Sequence, residues 1–309
     1  MRVGVVDIGT NSTRLLIADA GDGTLTEVDR RSTVTRLGEG VDATGRLGDE
    51  PMARVFMVLE EYTAAIREAG CEATTAVLTS AVRDAENGAE FAATVRERYG
   101  LDAQTIDGDT EARLTYLGAT AAHDAGDRTT RLVCDIGGGS TELVVGAGGE
   151  VSFHVSTQAG VVRQTERHIH RDPPQPDEVR AIAEEVRAIF AQAVPADVRA
   201  VPREGIAVAG TATSCAAIDL ELDPYDPNRV EGHRLALGTM QLILARLSTM
   251  TLEARRKVRG LHPDRAPTIV AGVTILIEVM HAFHLEEITV SERDILWGAA
   301  LTLAADAAL

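Results

Sequence analysis

Two short stretches of the chain combine a carboxylate, glycines and hydroxyls in an order suited to holding phosphate. Asp7-Ile8-Gly9-Thr10-Asn11-Ser12-Thr13-Arg14-Leu15-Leu16-Ile17 recurs, without a gap, as Asp135-Ile136-Gly137-Gly138-Gly139-Ser140-Thr141-Glu142-Leu143-Val144-Val145. Glycine lets backbone N–H groups approach phosphate oxygens with no Cβ in the way. The N–H groups of Gly9, Thr10 and Asn11, and of Gly137, Gly138 and Gly139, are therefore candidate phosphate donors. Ser12, Thr13, Ser140 and Thr141 add hydroxyls. Asp7 and Asp135 end the preceding apolar runs, where a bare carboxylate would repel phosphate. Their placement makes sense if Mg²⁺, directly or through its water, lies between carboxylate and phosphate. Two opposed tips of this kind would clamp one phosphoryl group from both sides. The bland alternative is an ordinary hairpin whose glycines serve only the turn, and the matching acids and hydroxyls weigh against it.

Neither stretch is a Walker loop or a dinucleotide fingerprint, because no lysine follows the glycines and the next element reads as a strand. A third turn, Gly210-Thr211-Ala212-Thr213-Ser214, follows a buried strand and opens a helix. Gly210 and Thr211 could offer an anion the free N–H groups of a helix start. A plain turn capped by Thr or Ser explains the same residues equally well. A hydrolase also needs a group that orients water, and Glu111 is the best candidate. Taken alone, Glu111 reads more simply as a first-turn acid complementing a helix dipole. Arg14, Arg83, Arg113, Arg163, Arg265 and Arg293 lie near element ends and could grip phosphate oxygens.

The elements that must position these groups alternate along the chain. Each copy of the repeat reads as strand, glycine turn, strand, a β-hairpin with a functional tip. Leu25 to Arg36, Thr75 to Thr79, Val151 to Ser156, Ile206 to Ala209 and Ile288 to Val290 read as further strands. Met52, Val55, Leu59, Tyr62 and Ile66 are spaced as one helix face, with Gly70 suited to the position after its end. Helices are also expected over Ala89–Tyr99, Thr110–His123, Asp177–Ala193, Thr239–Met250, Pro267–Phe283 and Asp294–Ala308. Arg167 to Gln175 and Asp223 to Arg234 read as loops. The repeat predicts two similar α/β domains: residues 1–117 with 297–309 returning to them, and residues 118–296.

Composition sets the outer limits. A chain of 309 residues suits two domains, and its 45% hydrophobic content is ordinary for a globular protein. The net charge is −17 and Lys257 is the only lysine, so nucleic acid is a poor partner. The N-terminal apolar run is too short for a signal peptide, and no stretch reaches the length of a membrane span. Three scattered cysteines (Cys71, Cys134, Cys215) suit reduced thiols, and a cytoplasmic location is expected.

At these motifs the chain resembles the exopolyphosphatase and guanosine pentaphosphate phosphatase (Ppx/GppA) family of the actin-like superfamily. The resemblance covers nearly the whole chain. It implies two ribonuclease H-like (actin-like) α/β domains with a cleft between them. Asp7 to Leu15 is similar to the family's first phosphate motif. Thr79 to Asn87 is similar to the next, which implies that Arg83 and Asn87 face phosphate. Glu111-Ala112-Arg113-Leu114 resembles the stretch holding the catalytic base, which implies that role for Glu111. Asp135 to Glu142 resembles the second phosphate motif, implying Asp135 and Glu142 as metal or water ligands, with Asp7 as a further candidate. Gly210-Thr211-Ala212 resembles the third motif, and Ser291 to Gly298 the closing signature. The chain departs from the family at Asp107-Gly108, where Ser-Gly is usual, at Thr110-Glu111, where a Glu-Glu pair is usual, and at Val161, where Cys is frequent.

The expected activity is hydrolysis of the terminal phosphate of inorganic polyphosphate, and of guanosine pentaphosphate as a second substrate, with Mg²⁺ or Mn²⁺. Longer family members carry a C-terminal helical extension, and its absence here favours short chains or a nucleotide. A homodimer is compatible with the resemblance. Two other readings stay open: an ATP-dependent small-molecule kinase of the same superfamily, and a non-catalytic sensor of polyphosphate or guanosine polyphosphates.

Overall fold

The computed structural model describes residues 1–21, 24–124 and 126–307. They form two compact units, one of Met1–Ala121 with Arg293–Leu309 and one of Ala122–Glu292. The divisions fall a few residues from 117/118 and 296/297. Helix Gly108–Thr120 runs on unbroken past Leu117, and Asp294 caps helix Ile295–Asp306, so both belong wholly to the first unit. Ala308, where the sequence reading ends the last helix, lies outside the described residues.

In the first unit, β1 (Arg2–Ile8), β2 (Ser12–Gly21), β3 (Thr24–Val34), β4 (Ala73–Leu78) and β5 (Asp102–Thr105) form one sheet in the order β3-β2-β1-β4-β5. β1, β2 and β3 are an antiparallel meander, and β4 and β5 add parallel to β1. The second unit has β6 (Arg131–Ile136), β7 (Thr141–Ala147), β8 (Glu150–Thr157), β9 (Glu204–Val208), β10 (Arg234–Ala236) and β11 (Glu287–Val290). Its order β8-β7-β6-β9-β11 repeats the first, strand for strand, and β10 pairs antiparallel on the outer side of β11. The hairpins detected as a sequence repeat are therefore equivalent elements of two ribonuclease H-like α/β units. No helix among the described residues is long and apolar enough to cross a membrane.

Strand parity decides where the chemistry goes. Side chains alternate between sheet faces along a strand. Val6, Ile8, Leu15 and Ile17 join one core with helix Asp49–Glu68 and helix Gly88–Tyr99. Val3, Val5, Leu16 and Ala18 join another, with Leu114 of helix 108–120 and Leu296, Trp297 and Ala300 of helix 295–306. Each fully buried Val or Leu in these cores is worth about 1.5–3 kcal/mol. Asp7 and Arg14 have the parity of Val3, Val5, Leu16 and Ala18. They therefore emerge at the end of the face that these two helices cover. In the second unit Leu132, Cys134, Ile136, Leu143 and Val145 join the main core. Asp135 and Glu142 have the opposite parity and share the other face with Val133 and Val144.

The two helices on the first unit's inner face cross in backbone contact. A Cβ on Gly118 would lie 1.9 Å from the Asp294 carbonyl oxygen, and one on Gly298 would lie 1.9 Å from that of Leu114. Only glycine permits that approach.

Besides several single helical turns, the structure departs from the sequence reading in these elements. β5 buries only Ala103, so it has almost no apolar pattern to detect. Helix Val161–His168 is short and mostly polar. The stretch read as a loop from Asp223 contains a single helical turn, Pro227–Val230, and leads into the three-residue strand β10.

Candidate active site

Both hairpin tips are closed by the same bond. The Gly9 N–H donates to the Ser12 carbonyl (3.0 Å) and the Gly137 N–H to that of Ser140 (2.9 Å). In each unit the tip carbonyls are tied down by the segment that follows the third strand. Asn11 accepts from the N–H groups of Thr35 (3.0 Å) and Arg36 (2.9 Å), and Thr10 from that of Gly38 (2.8 Å). In the second unit Gly137 accepts from the Val161 N–H and Gly138 from that of Val162, both at 2.9 Å. Gly139 accepts from Arg163 Nε (3.0 Å). With the carbonyls so engaged, the N–H groups of Thr10, Asn11, Gly138 and Gly139 have no acceptor among the described residues. Clustered unpaired N–H groups in a tight turn are the backbone arrangement that receives anions.

The side chains of the motifs divide into several groups. Thr10 and Ser80 hydroxyls are 2.8 Å apart, tying the first tip to the start of helix Ser80–Arg83. Thr13 is fully buried and bonded to Thr35 (3.0 Å), and Thr141 donates to the Ala159 carbonyl (2.5 Å), so both hydroxyls hold the hairpins together. Asn87 uses its oxygen on the Leu47 N–H (2.8 Å) and its nitrogen on the Leu47 carbonyl (3.0 Å). Thr211 is buried, and a Cβ on Gly210 would meet the Arg265 guanidinium within 2.2 Å. The third turn therefore lies beneath an arginine.

Glu111 sits in the first turn of helix 108–120, which Asp107 caps by accepting the Thr110 N–H at 2.8 Å. Arg83 Nη1 donates to Glu111 Oε2 (3.0 Å) and to the Ile106 carbonyl (3.1 Å). The Glu111 side chain is 13% exposed. Burial pushes its carboxyl above the usual glutamate range, Arg83 pulls it part of the way back, and the charges of Asp7 and Asp84 push it up again. A carboxylate with raised proton affinity is a stronger base.

Asp7, at 3% exposure, closes the inner end of β1. Its cross-strand partner is Arg14. Arg14 brings Nε (2.8 Å) and Nη2 (2.7 Å) onto Asp7 Oδ2, while Asp7 Oδ1 is buried with no partner. Burial raises the Asp7 carboxyl and Arg14 opposes it. Arg14 Nη1 also bonds Asp294 Oδ2, which Arg30 approaches at 3.5 Å. Sequence reasoning missed Ser80, Arg30 and Asp294 as parts of this arrangement. Asp294 lay inside a quoted motif, but nothing in the sequence joins it to Arg14.

The second hairpin places Asp135 directly opposite Glu142. Like charges directly across a strand pair are destabilising, with Cβ atoms about 5 Å apart. Glu142 Oε1 accepts the hydroxyls of Ser140 (2.5 Å) and Ser156 (2.8 Å). Two opposed carboxylates, one of them supported by hydroxyls, suit a hard cation, and Mg²⁺ commonly takes only one or two carboxylates, completing its shell with water and phosphate. No cluster of three or more His, Cys, Asp or Glu among the described residues could hold a metal.

Two α/β units with the same strand order and the same glycine-turn hairpin define the molecule as a duplicated, ribonuclease H-like fold. The chain belongs to the Ppx/GppA phosphatase family, which matches residues 16–299. It is 36% identical to Exopolyphosphatase 2 of Mycobacterium tuberculosis over 98% of both chains. It is 31% identical to Exopolyphosphatase 1 of Mycobacterium bovis over 94% of this chain and 84% of that one. A solved structure of the Aquifex aeolicus Ppx/GppA family member superposes with a TM-score of 0.86 at 32% identity, covering 99% of this chain and 98% of that one.

Proposed function

We propose that this chain hydrolyses the terminal phosphoanhydride bond of inorganic polyphosphate. The observation that carries the reading is Glu111: a largely buried carboxylate of raised proton affinity, oriented by Arg83. Relatives named as exopolyphosphatases, matched over nearly the full chain, support the substrate class.

In this reading the N–H groups of Thr10, Asn11, Gly138 and Gly139 bind phosphoryl oxygens. Glu111 orients a water in line with the terminal phosphorus and takes its proton as the new P–O bond forms and the bridging P–O bond breaks. Arg83 holds the Glu111 carboxylate in position and opposes the rise that burial imposes on its carboxyl. Asp135 and Glu142 would hold Mg²⁺ or Mn²⁺, which when bound neutralises charge developing on the phosphoryl oxygens. Asp7 contributes through Arg14.

The test is phosphate release from short polyphosphate, long polyphosphate, guanosine pentaphosphate and ATP, measured side by side with wild type and Glu111→Gln. The expected result is release from polyphosphate, reduced about 10²- to 10⁴-fold by Glu111→Gln, the range for loss of a general base. Equal release by both proteins removes Glu111 from the mechanism. Exclusive release from guanosine pentaphosphate moves the substrate to the nucleotide.

A further inference from the structure

We infer that Asp294 is a positioning residue for hydrolysis, acting through Arg14 on the first phosphate tip; the inference rests on the functional reading above.

Asp294 touches three parts of the first unit's site at once. Its Oδ1 caps helix 295–306 by accepting the Leu296 N–H (3.0 Å). Its Oδ2 accepts from Arg14 Nη1, with Arg30 Nη2 at 3.5 Å. Its backbone carbonyl rests against Gly118, on the helix that carries Glu111. The carboxylate is 1% exposed, so its contacts are desolvated and geometrically fixed.

The effect on Arg14 follows from guanidinium geometry. Its N–H donors lie in one rigid plane. Asp7 grips one edge of that plane, through Nε and Nη2, and Asp294 grips the far nitrogen. A guanidinium held by one carboxylate can still swing about that contact, whereas one held at both ends cannot. Arg14 follows the first tip and is the cross-strand partner of the strand-end Asp7. Its fixed plane therefore fixes the Asp7 carboxylate near the end of β1, close to Gly9 of the turn that carries the N–H groups of Thr10 and Asn11. The Gly118 and Gly298 contacts register the Glu111 helix against the helix that Asp294 caps. Base and tip are thus referenced to the same residue, which touches neither the reacting phosphorus nor the attacking water.

Residues that act through one another lose additivity when mutated together. The experiment compares wild type, Arg14→Gln, Asp294→Asn and the double variant for kcat/KM on tripolyphosphate. Each protein's thermal unfolding is measured, and assays are run well below every midpoint. Asp294→Asn is expected to lose on the order of 10-fold in kcat/KM, and the double variant to match Arg14→Gln within about two-fold. Losses that multiply in the double variant, or an Asp294→Asn protein as active as wild type, overturn the inference while leaving the functional reading intact. If Asp294→Asn does not fold, Asp294→Glu takes its place in both backgrounds with the same expectation of non-additivity. If wild type releases no phosphate from tripolyphosphate or from longer polyphosphate, the functional reading fails. The coupling is then read from calorimetric binding of tripolyphosphate by the same proteins, where additive losses or no binding overturn it.

Discussion

The two hairpins share strand pairing, turn closure and carbonyl anchoring, yet the aspartate near the end of the first strand faces a different partner in each. Asp7 faces Arg14 in the first unit, and Asp135 faces Glu142 in the second. The first pair brings its own cation. The second leaves two anions opposed and supports one of them with two serine hydroxyls. One duplicated element thus carries two charge patterns: a carboxylate neutralised by the arginine opposite it, and two opposed carboxylates. Changes around the first should alter pH dependence, and changes around the second should alter metal dependence.

The strongest way to break this comparison is to make the hairpins alike. Glu142→Arg gives the second hairpin the charge pattern of the first. Activity is expected to fall by about 10²-fold or more, and added Mg²⁺ should not restore it. A Mg²⁺ titration of turnover checks this, and a normal titration curve would mean that the cation is held elsewhere.

A smaller effect is expected on the pH profile. Arg83 lowers the Glu111 carboxyl from its raised position, and the Asp84 charge raises it. The base must be ionised to accept a proton, so the acidic limb of kcat/KM follows this carboxyl and lies above the usual glutamate range. Arg83→Gln should move the limb to higher pH, and Asp84→Asn should move it to lower pH. Opposite shifts in one buffer series are the signature, and Glu142 variants should leave the limb in place. The same raised value has a sign for stability. The native state holds the Glu111 proton more tightly than the unfolded chain, so stability is lost as pH rises from the ordinary glutamate value through the raised one.

The smallest change is Ser156→Ala. It removes one of two hydroxyls from Glu142 and should cost about 1 kcal/mol of stability. It should also raise the Mg²⁺ concentration for half-maximal turnover by a few-fold, with the pH limb unmoved. A thermal melt and a Mg²⁺ titration of the same sample check both.

Much of this arrangement was legible in the sequence because it is local. A repeated hairpin fixes its own register, so the pairing of Asp7 with Arg14 and of Asp135 with Glu142 follows once the turns are placed. Helix Pro176–Ala193 and helix Asp49–Glu68 announced themselves by apolar spacing. What stayed hidden is non-local. Asp294 and Arg14 are separated in the chain by the whole second unit, and no periodicity links them. Asn87 has a side chain suited to phosphate, but its use on the Leu47 backbone depends on a loop whose path the sequence does not dictate. Thr141 reads as a tip hydroxyl until the Ala159 carbonyl is seen to accept from it.

The return of helix 295–306 to the first unit has a consequence for synthesis. Val3, Val5 and Leu16 leave the ribosome early, but the helix that covers them follows only after residues 122–292 have been made. At an elongation rate of about 5–20 residues per second that interval is roughly 10–30 s. Throughout it, the part of that sheet face that helix 108–120 does not cover stands open on the nascent chain and needs shielding from aggregation. A product truncated between residues 142 and 293 would carry Glu111, Arg83 and both tips, yet lack the Asp294 contact to Arg14 and the helix packed on the Glu111 helix.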